Sequence, residues 1–118
     1  MDYFDKLKPF KWVEYGATAS VILYADLGYK ADLFKTRSKD GFVGSGDDWE
    51  ALAKTFIKNQ IPELKNALEY DSEFGMFCVY SSNIPALKKF ALNFKNACED
   101  DVLIAKLFSQ AVPPPYIS

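Results

Sequence analysis

The chain has 118 residues, 49% of them apolar and 25% charged. That is the composition of a globular domain, and it is long enough for one ordinary core without disulfides or a metal. Its formal charge is −2, it has no histidine, and Arg37 is its single arginine against 16 acidic residues. Without histidine there is no Ser-His or Cys-His nucleophile system and no imidazole base, and most zinc sites are excluded. One arginine argues against a reader of nucleic acid. No apolar run approaches the roughly 18 residues of a membrane span, and Met1-Asp2-Tyr3-Phe4-Asp5 lacks the basic-then-apolar form of a signal peptide. A cytoplasmic location with no membrane partner is expected. Cys78 and Cys98 have no C-x-x-C spacing and read as buried free thiols.

Residues 1–10 mix aromatics with charges and read as a short helix or ordered arm. Residues 11–15 alternate and form a strand, Gly16 marks a turn, and residues 18–24 form a second, more apolar strand. A third strand over residues 31–35 would complete an antiparallel meander. The longest polar connection follows, residues 36–46. Its glycines at 41, 44 and 46 invite a phosphate-loop reading, because glycine lets backbone N–H groups approach an anion. The Gly-Lys-Ser/Thr ending is absent, however, and Asp47 and Asp48 come next, so a flexible loop feeding a helix is expected.

That helix starts at Asp47-Asp48-Trp49-Glu50, with Asp47 as cap and Glu50 three residues on as in a capping box. Trp49, Leu52, Ala53, Phe56 and Ile57 make its apolar stripe. Ile61-Pro62 ends it or opens a short new helix through Lys65. Residues 68–70 alternate like a strand end, and 71–73 are polar and turn-prone. Residues 74–80 are β-branched, aromatic or apolar and read as a central strand buried on both faces. Asn83 caps the next helix with Pro85 in its first turn, and Ile84, Leu87, Phe90, Ala91, Phe94 and Cys98 form its buried face. Glu99-Asp100-Asp101 suits a helix N-terminus better than a C-terminus, so a last helix follows over 102–111, with Leu103, Ile104, Leu107 and Phe108 inward. Val112-Pro113-Pro114-Pro115 is a stiff extended stop. The expected architecture is a single α+β domain over 1–118, with an N-terminal arm (1–10) and a proline-rich tail (112–118). It has an antiparallel sheet of four to five strands with two to three helices packed on it.

Three stretches carry more than fold. Gly44-Ser45-Gly46-Asp47-Asp48-Trp49-Glu50-Ala51-Leu52-Ala53 is a glycine-rich loop running into an Asp-Trp-Glu helix start. Tyr70-Asp71-Ser72-Glu73-Phe74-Gly75-Met76-Phe77 is a turn and strand, and Ala86-Leu87-Lys88-Lys89-Phe90-Ala91 follows Ser81-Ser82 as a closing helix. In order and spacing, across roughly residues 18–98, they resemble the immunity protein 51 family of bacterial polymorphic-toxin and contact-dependent inhibition systems. Ser72 stands where that family commonly has proline, and Asp47 where an aromatic is usual. The resemblance implies a non-catalytic binding protein, without cofactor or metal, that neutralises a cognate toxin by occupying its active site or blocking its substrate.

Many such toxins are nucleases with basic clefts, which clustered carboxylates complement. The carboxylate groups available are Asp47, Asp48 and Glu50; Asp71 and Glu73; and Glu99, Asp100 and Asp101. They are candidates by charge alone, since the resemblance carries over no toxin-contacting residue. An interaction or adaptor domain unrelated to toxins fits the same pattern. An enzyme would have to use carboxylates, such as Asp71 with Glu73 or Asp47 with Glu50, as acid and base or as metal ligands.

Overall fold

Strand β2, Thr18–Tyr24, alternates strictly, with Ala19, Val21 and Leu23 buried, because one face of the sheet meets helices and the other does not. It pairs antiparallel with β1, Lys11–Tyr15, on one side and with β4, Met76–Ser81, on the other. Strand β3, Glu69–Tyr70, pairs antiparallel with β4, so the order across the sheet is β1-β2-β4-β3. The computed structural model describes residues 3–115. Met1, Asp2 and residues 116–118, the outer ends of the expected arm and tail, lie outside the described residues.

The helices are α1 (Tyr3–Lys6), α2 (Ala31–Lys35), α3 (Gly46–Gln60), α4 (Ile84–Glu99) and α5 (Asp101–Gln110). The apolar stripes expected at helical spacing are buried in place. They comprise Trp49, Leu52, Ala53, Phe56 and Ile57 on α3; Leu87, Phe90, Ala91, Phe94 and Cys98 on α4; and Ile104, Leu107 and Phe108 on α5, whereas Ile84 and Leu103, expected in the same stripes, are half-buried at their edges. Pro62–Ala67 is a 3-10 turn after α3. The protein is thus an α+β domain, a four-stranded antiparallel sheet with helices on one face. The arm is part of this core, with Leu7 and Phe10 buried. Both cysteines are buried free thiols. Burial pushes the Cys98 thiol up to about 12.

Trp49 is the hub of the interior. Its indole stacks on Tyr29 with ring centres 5.8 Å apart, and it meets Phe10 and Phe94 edge-on at 5.9 and 6.0 Å and Phe34 tilted at 5.1 Å. Aromatic pairs in these geometries add to their area burial about 0.5–1.5 kcal/mol each.

Three sequence expectations need correction. Residues 31–35 form helix α2 rather than a third strand. The segment Ala-Asp-Leu-Phe-Lys has no β-branched residue, and its adjacent Leu33 and Phe34 suit one helical turn on the core better than an alternating strand. Gly28 and Lys30, both in the left-handed region, turn the chain into it. The central strand begins at Met76, because Phe74 and Gly75 are the two-residue loop of a hairpin closed by Glu73 and Met76. Nor is β4 covered on both sides. Phe77 and Val79 face the helices, whereas Met76 and Tyr80 on the other face are half-buried. Cys78 on that face is shielded by its strand neighbours, and burial raises its thiol pKa against the lowering effect of a hydrogen bond from the Ser20 hydroxyl.

The glycine that matters most is Gly46, and the reason is space. Its N–H donates to the Phe74 carbonyl at 2.8 Å, and a Cβ there would stand 2.1 Å from the Glu73 oxygen and 2.2 Å from the Met76 oxygen. Both are backbone atoms of the hairpin and cannot rotate away. Gly46→Ala is therefore expected to lower stability by about 3 kcal/mol or more, read as a fall in the urea midpoint. A midpoint within experimental error of wild type would show that the hairpin backbone yields more freely than this packing implies.

Candidate functional site

The loop of residues 42–46 looks like an anion cradle, and it holds an anion from its own chain. The Asp48 carboxylate, fully buried, accepts the N–H groups of Val43 at 2.7 Å, Gly44 at 2.8 Å and Ser45 at 3.3 Å. Ser45 is the N-cap of α3, its hydroxyl accepting the Asp48 N–H at 3.1 Å, and Asp48 completes the capping box. The cap therefore falls two residues before Asp47, and the box uses Asp48 rather than Glu50. The amides that would bind a phosphate are already occupied, and Asp48 presents nothing to a partner.

The connection before this cradle is also pinned rather than loose. Arg37 donates to the carbonyls of Phe108 at 2.6 Å and Ala111 at 2.7 Å, closing the C-terminus of α5. Its guanidinium lies over the rings of Phe42 and Phe108, and its Nε donates to Asp40 at 2.7 Å. The single arginine is a structural clamp, which suits a planar group able to stack and donate at once.

The other carboxylates divide into two kinds. Those of the third group are engaged at the α4–α5 joint. Asp100 is the N-cap of α5 and accepts the Leu103 N–H at 3.1 Å, and Asp101 pairs with Lys30 at 3.3 Å. Glu99 accepts the Tyr29 hydroxyl and pairs with Lys95 at 3.3 Å. That phenol hydrogen bond, followed by the two lysines, holds the Glu99 carboxyl below the usual range, while burial and the same bond raise the Tyr29 phenol. Glu50 in α3 pairs with Lys54 at 3.0 Å.

Asp47, Asp71 and Glu73 differ. Asp71 and Glu73 are exposed, Asp47 is half-buried in the first turn of α3, and none of the three forms an ion pair among the described residues. The fold brings them to one end of the molecule, because the Gly46–Phe74 hydrogen bond docks the start of α3 on the hairpin. Asp26 lies in the same neighbourhood, next to Ala25, whose N–H donates to the Gly75 carbonyl at 2.9 Å. Glu69, directly across from Tyr80, extends the negative field along the open face of the sheet. It is the first cause of the raised Tyr80 pKa, and Asp71 contributes there and at Cys78. Neither Asp26 nor Glu69 stands out in the chain, because the first joins the group through the Ala25–Gly75 hydrogen bond and the second through the pairing of β3 with β4.

The hairpin that carries Asp71 and Glu73 is held by a side chain. The Ser72 hydroxyl accepts the Cys78 N–H at 3.1 Å and donates to the Cys78 carbonyl at 3.4 Å, beside the backbone bond that the Asp71 N–H donates to the same carbonyl at 3.0 Å. Asp47 and Glu50 also line an open groove of about 590 Å³ between α3 and Pro113–Pro115. Among the described residues no three histidine, cysteine or carboxylate side chains are placed to hold a metal ion, and no helix is long and apolar enough to cross a membrane.

The arrangement is that of a binding domain whose unspent charge lies at its surface. The chain belongs to the immunity protein 51 family, whose model matches residues 10–113. The match is wider than the three stretches noted in the sequence and takes in β1 and α5. Membership gives the protein an immunity role, and with it a cognate toxin as partner. No curated protein and no solved structure matches the chain.

Two stability effects follow. Asp48→Ala leaves three loop N–H groups without their acceptor and is expected to cost about 3 kcal/mol, measured by urea unfolding; a loss below about 0.5 kcal/mol would mean that water replaces the carboxylate. Tyr29→Phe removes the hydrogen bond that depresses Glu99. A carboxyl depressed in the folded state stabilises above its unfolded pKa, and that contribution disappears as pH falls through the folded value. The melting-temperature gap between wild type and Tyr29→Phe should therefore be present at neutral pH and close as pH drops below the ordinary glutamate range. A gap independent of pH would assign the effect to packing on Trp49 instead.

Proposed function

We propose that this protein binds its cognate toxin in the cytoplasm without catalysis of its own, and that the toxin is a nuclease-type domain with a basic substrate cleft. The observation that carries this reading is the end of the sheet where Asp47, Asp71 and Glu73 stand without a cationic partner among the described residues. Carboxylates without a folding task of their own are stable there only because water solvates them. A partner that replaces that water must bring positive charge. A nuclease cleft built to hold phosphates does so, and an acidic surface seated over it excludes the substrate by occupying the same field. Family membership supports the toxin as partner. The nuclease class rests on charge complementarity.

Glu99, Asp100 and Asp101 have lesser parts in this reading, since capping and ion pairs already engage them. Glu50, paired with Lys54, can contribute through the groove beside Asp47.

Co-expression with the product of the immediately upstream gene tests the function. The expected outcome is growth rescue and a complex that survives purification, with affinity that falls as salt rises. Replacing Asp47, Asp71 and Glu73 together by their amides should slow association by about tenfold at low salt while leaving the melting temperature near wild type. An active upstream toxin that is neither bound nor neutralised would sink the immunity assignment. A tight complex insensitive to salt and to the triple variant would remove the basic-cleft reading alone.

A further inference from the structure

Strand β1 is an edge of the sheet, and among the described residues no backbone hydrogen bond reaches Lys11–Tyr15 from any segment but β2. Sheet edges are commonly blunted by proline, by a bulge, by charge or by shortness. The opposite edge, β3, is two residues long. β1 has five residues, no proline, and five consecutive partners on β2 without a bulge. Val13 (37% exposed) and Tyr15 (79%) lie on the open face, across from Ser20 and Thr18. Phe4 (38% exposed) packs on Trp12 from the helix face, with ring centres 5.8 Å apart. An open ladder flanked by exposed apolar groups on both faces is the form of a pairing surface.

The strand carries its own register. Gly16, at φ 59, and Ala17 form a two-residue loop between Tyr15 and Thr18, which makes Tyr15 and Thr18 a hydrogen-bonded pair. Alternation then gives the backbone groups of Val13 and Lys11 to β2 and turns the N–H and C=O of Trp12 and Glu14 outward. Two antiparallel copies of β1 related by a two-fold axis at Val13 set Trp12 of each against Glu14 of the other, and every one of those outward groups is paired. The side chains agree. Val13 meets Val13, and Lys11 falls opposite the exposed Tyr15 ring, both in the closer, non-hydrogen-bonded kind of pair. Glu14 falls opposite Trp12, whose ring lies 6.0 Å from the Lys88 ammonium. Within one copy Lys11 already leans over Tyr24 at 5.4 Å, and Glu14 accepts the Trp12 Nε1–H at 3.3 Å. The pairing leaves both contacts possible and sets no two like charges directly opposite one another.

We propose that β1 pairs antiparallel with β1 of a second copy of this chain, joining the two four-stranded sheets into one continuous sheet with its two-fold axis at Val13. The sequence of the strand chooses the occupant. A foreign strand would satisfy the backbone equally, but Lys-Trp-Val-Glu-Tyr is its own complement when reversed. The edge lies across the sheet from β3 and Asp71, so the dimer keeps both acidic ends open and presents two toxin-binding surfaces. The pairing forms without a toxin and adds to the function proposed above. A five-residue strand contact with its flanking side chains is small among specific interfaces. The dimer is therefore reversible, with a dissociation constant on the order of 10–100 μM.

Sedimentation equilibrium of the purified full chain, with no toxin present, is the test. Wild type should pass from monomer to dimer over about 1–500 μM. Over the same range hydrogen exchange should slow at the Trp12 and Glu14 amides more than at Val13, already bonded to β2, a readout that needs no variant. Val13→Lys sets two cations face to face on the axis and should weaken the dimer about tenfold or more, with a melting temperature near wild type. Val13→Cys should form an intermolecular disulfide under mild oxidation, the native cysteines being buried. Glu14→Cys, offset from its own copy, should not. A wild type that stays monomeric across that range, a dimer indifferent to Val13→Lys, or crosslinking no better through Val13→Cys than through Glu14→Cys would overturn the proposal. If the Trp12 and Glu14 amides gain protection only when an active toxin domain is bound, the occupant is the toxin and self-pairing is overturned. The immunity role stands or falls separately, by co-expression.

Discussion

The contact on which the rest of this structure depends is between the backbone of Gly46 and the backbone of the hairpin at residues 73–76. No side chain intervenes, so the start of α3 and the tip of the sheet are separated only by van der Waals surfaces and one hydrogen bond. That closeness sets where α3 crosses the sheet and therefore where Trp49, three residues on, meets Phe10, Phe34 and Phe94. It also sets the conformation of the loop before it. The chain must turn sharply to reach Gly46, and the N–H groups left pointing inward at Val43, Gly44 and Ser45 are collected by one buried carboxylate. Asp48 makes good a consequence of the close approach, since buried amides without an acceptor would cost about 1–3 kcal/mol each.

The same junction decides which acidic residues are available to a partner. Asp47 and Asp48 are adjacent, yet the helix turns one into the cradle and the other toward solvent. At the α4–α5 joint the opposite happens, and every carboxylate of Glu99-Asp100-Asp101 is used, one by a helix N-terminus and two by lysines. Charge density in the chain is therefore a poor guide to charge available for binding. What distinguishes the two groups is that Lys30, Lys95 and Tyr29 engage one, whereas Asp47, Asp71 and Glu73 form no ion pair among the described residues, a property of tertiary placement.

Much of the fold was legible because it rests on local periodicity. The stripes of α3, α4 and α5 repeat at helical spacing, β2 alternates, and Asn83 and Asp100 sit where a cap is needed; each depends on neighbours within a few positions. The errors share a cause. Residues 31–35 are too few for a period to speak, and their helix is decided by Phe34 reaching Phe42, Trp49 and Phe108. The cap of α3 moved from Asp47 to Ser45 because Gly46 can be helical and still touch the hairpin. Arg37, the fixed and stacked clamp, gave no signal at all, since its acceptors lie some seventy positions away. Of the candidate surface, Asp47, Asp71 and Glu73 can be read from the chain, whereas Phe74 reads as strand because its composition matches the run that follows.

An aromatic next to Gly75, ahead of an apolar strand, extends the strand's pattern by one residue too many, and the pattern alone would bury it. The hairpin instead closes at Glu73 and Met76, leaving Phe74 outside the ladder. Its boundary is set by the two backbone hydrogen bonds between Glu73 and Met76 and by the close approach of Gly46, contacts that no local period announces.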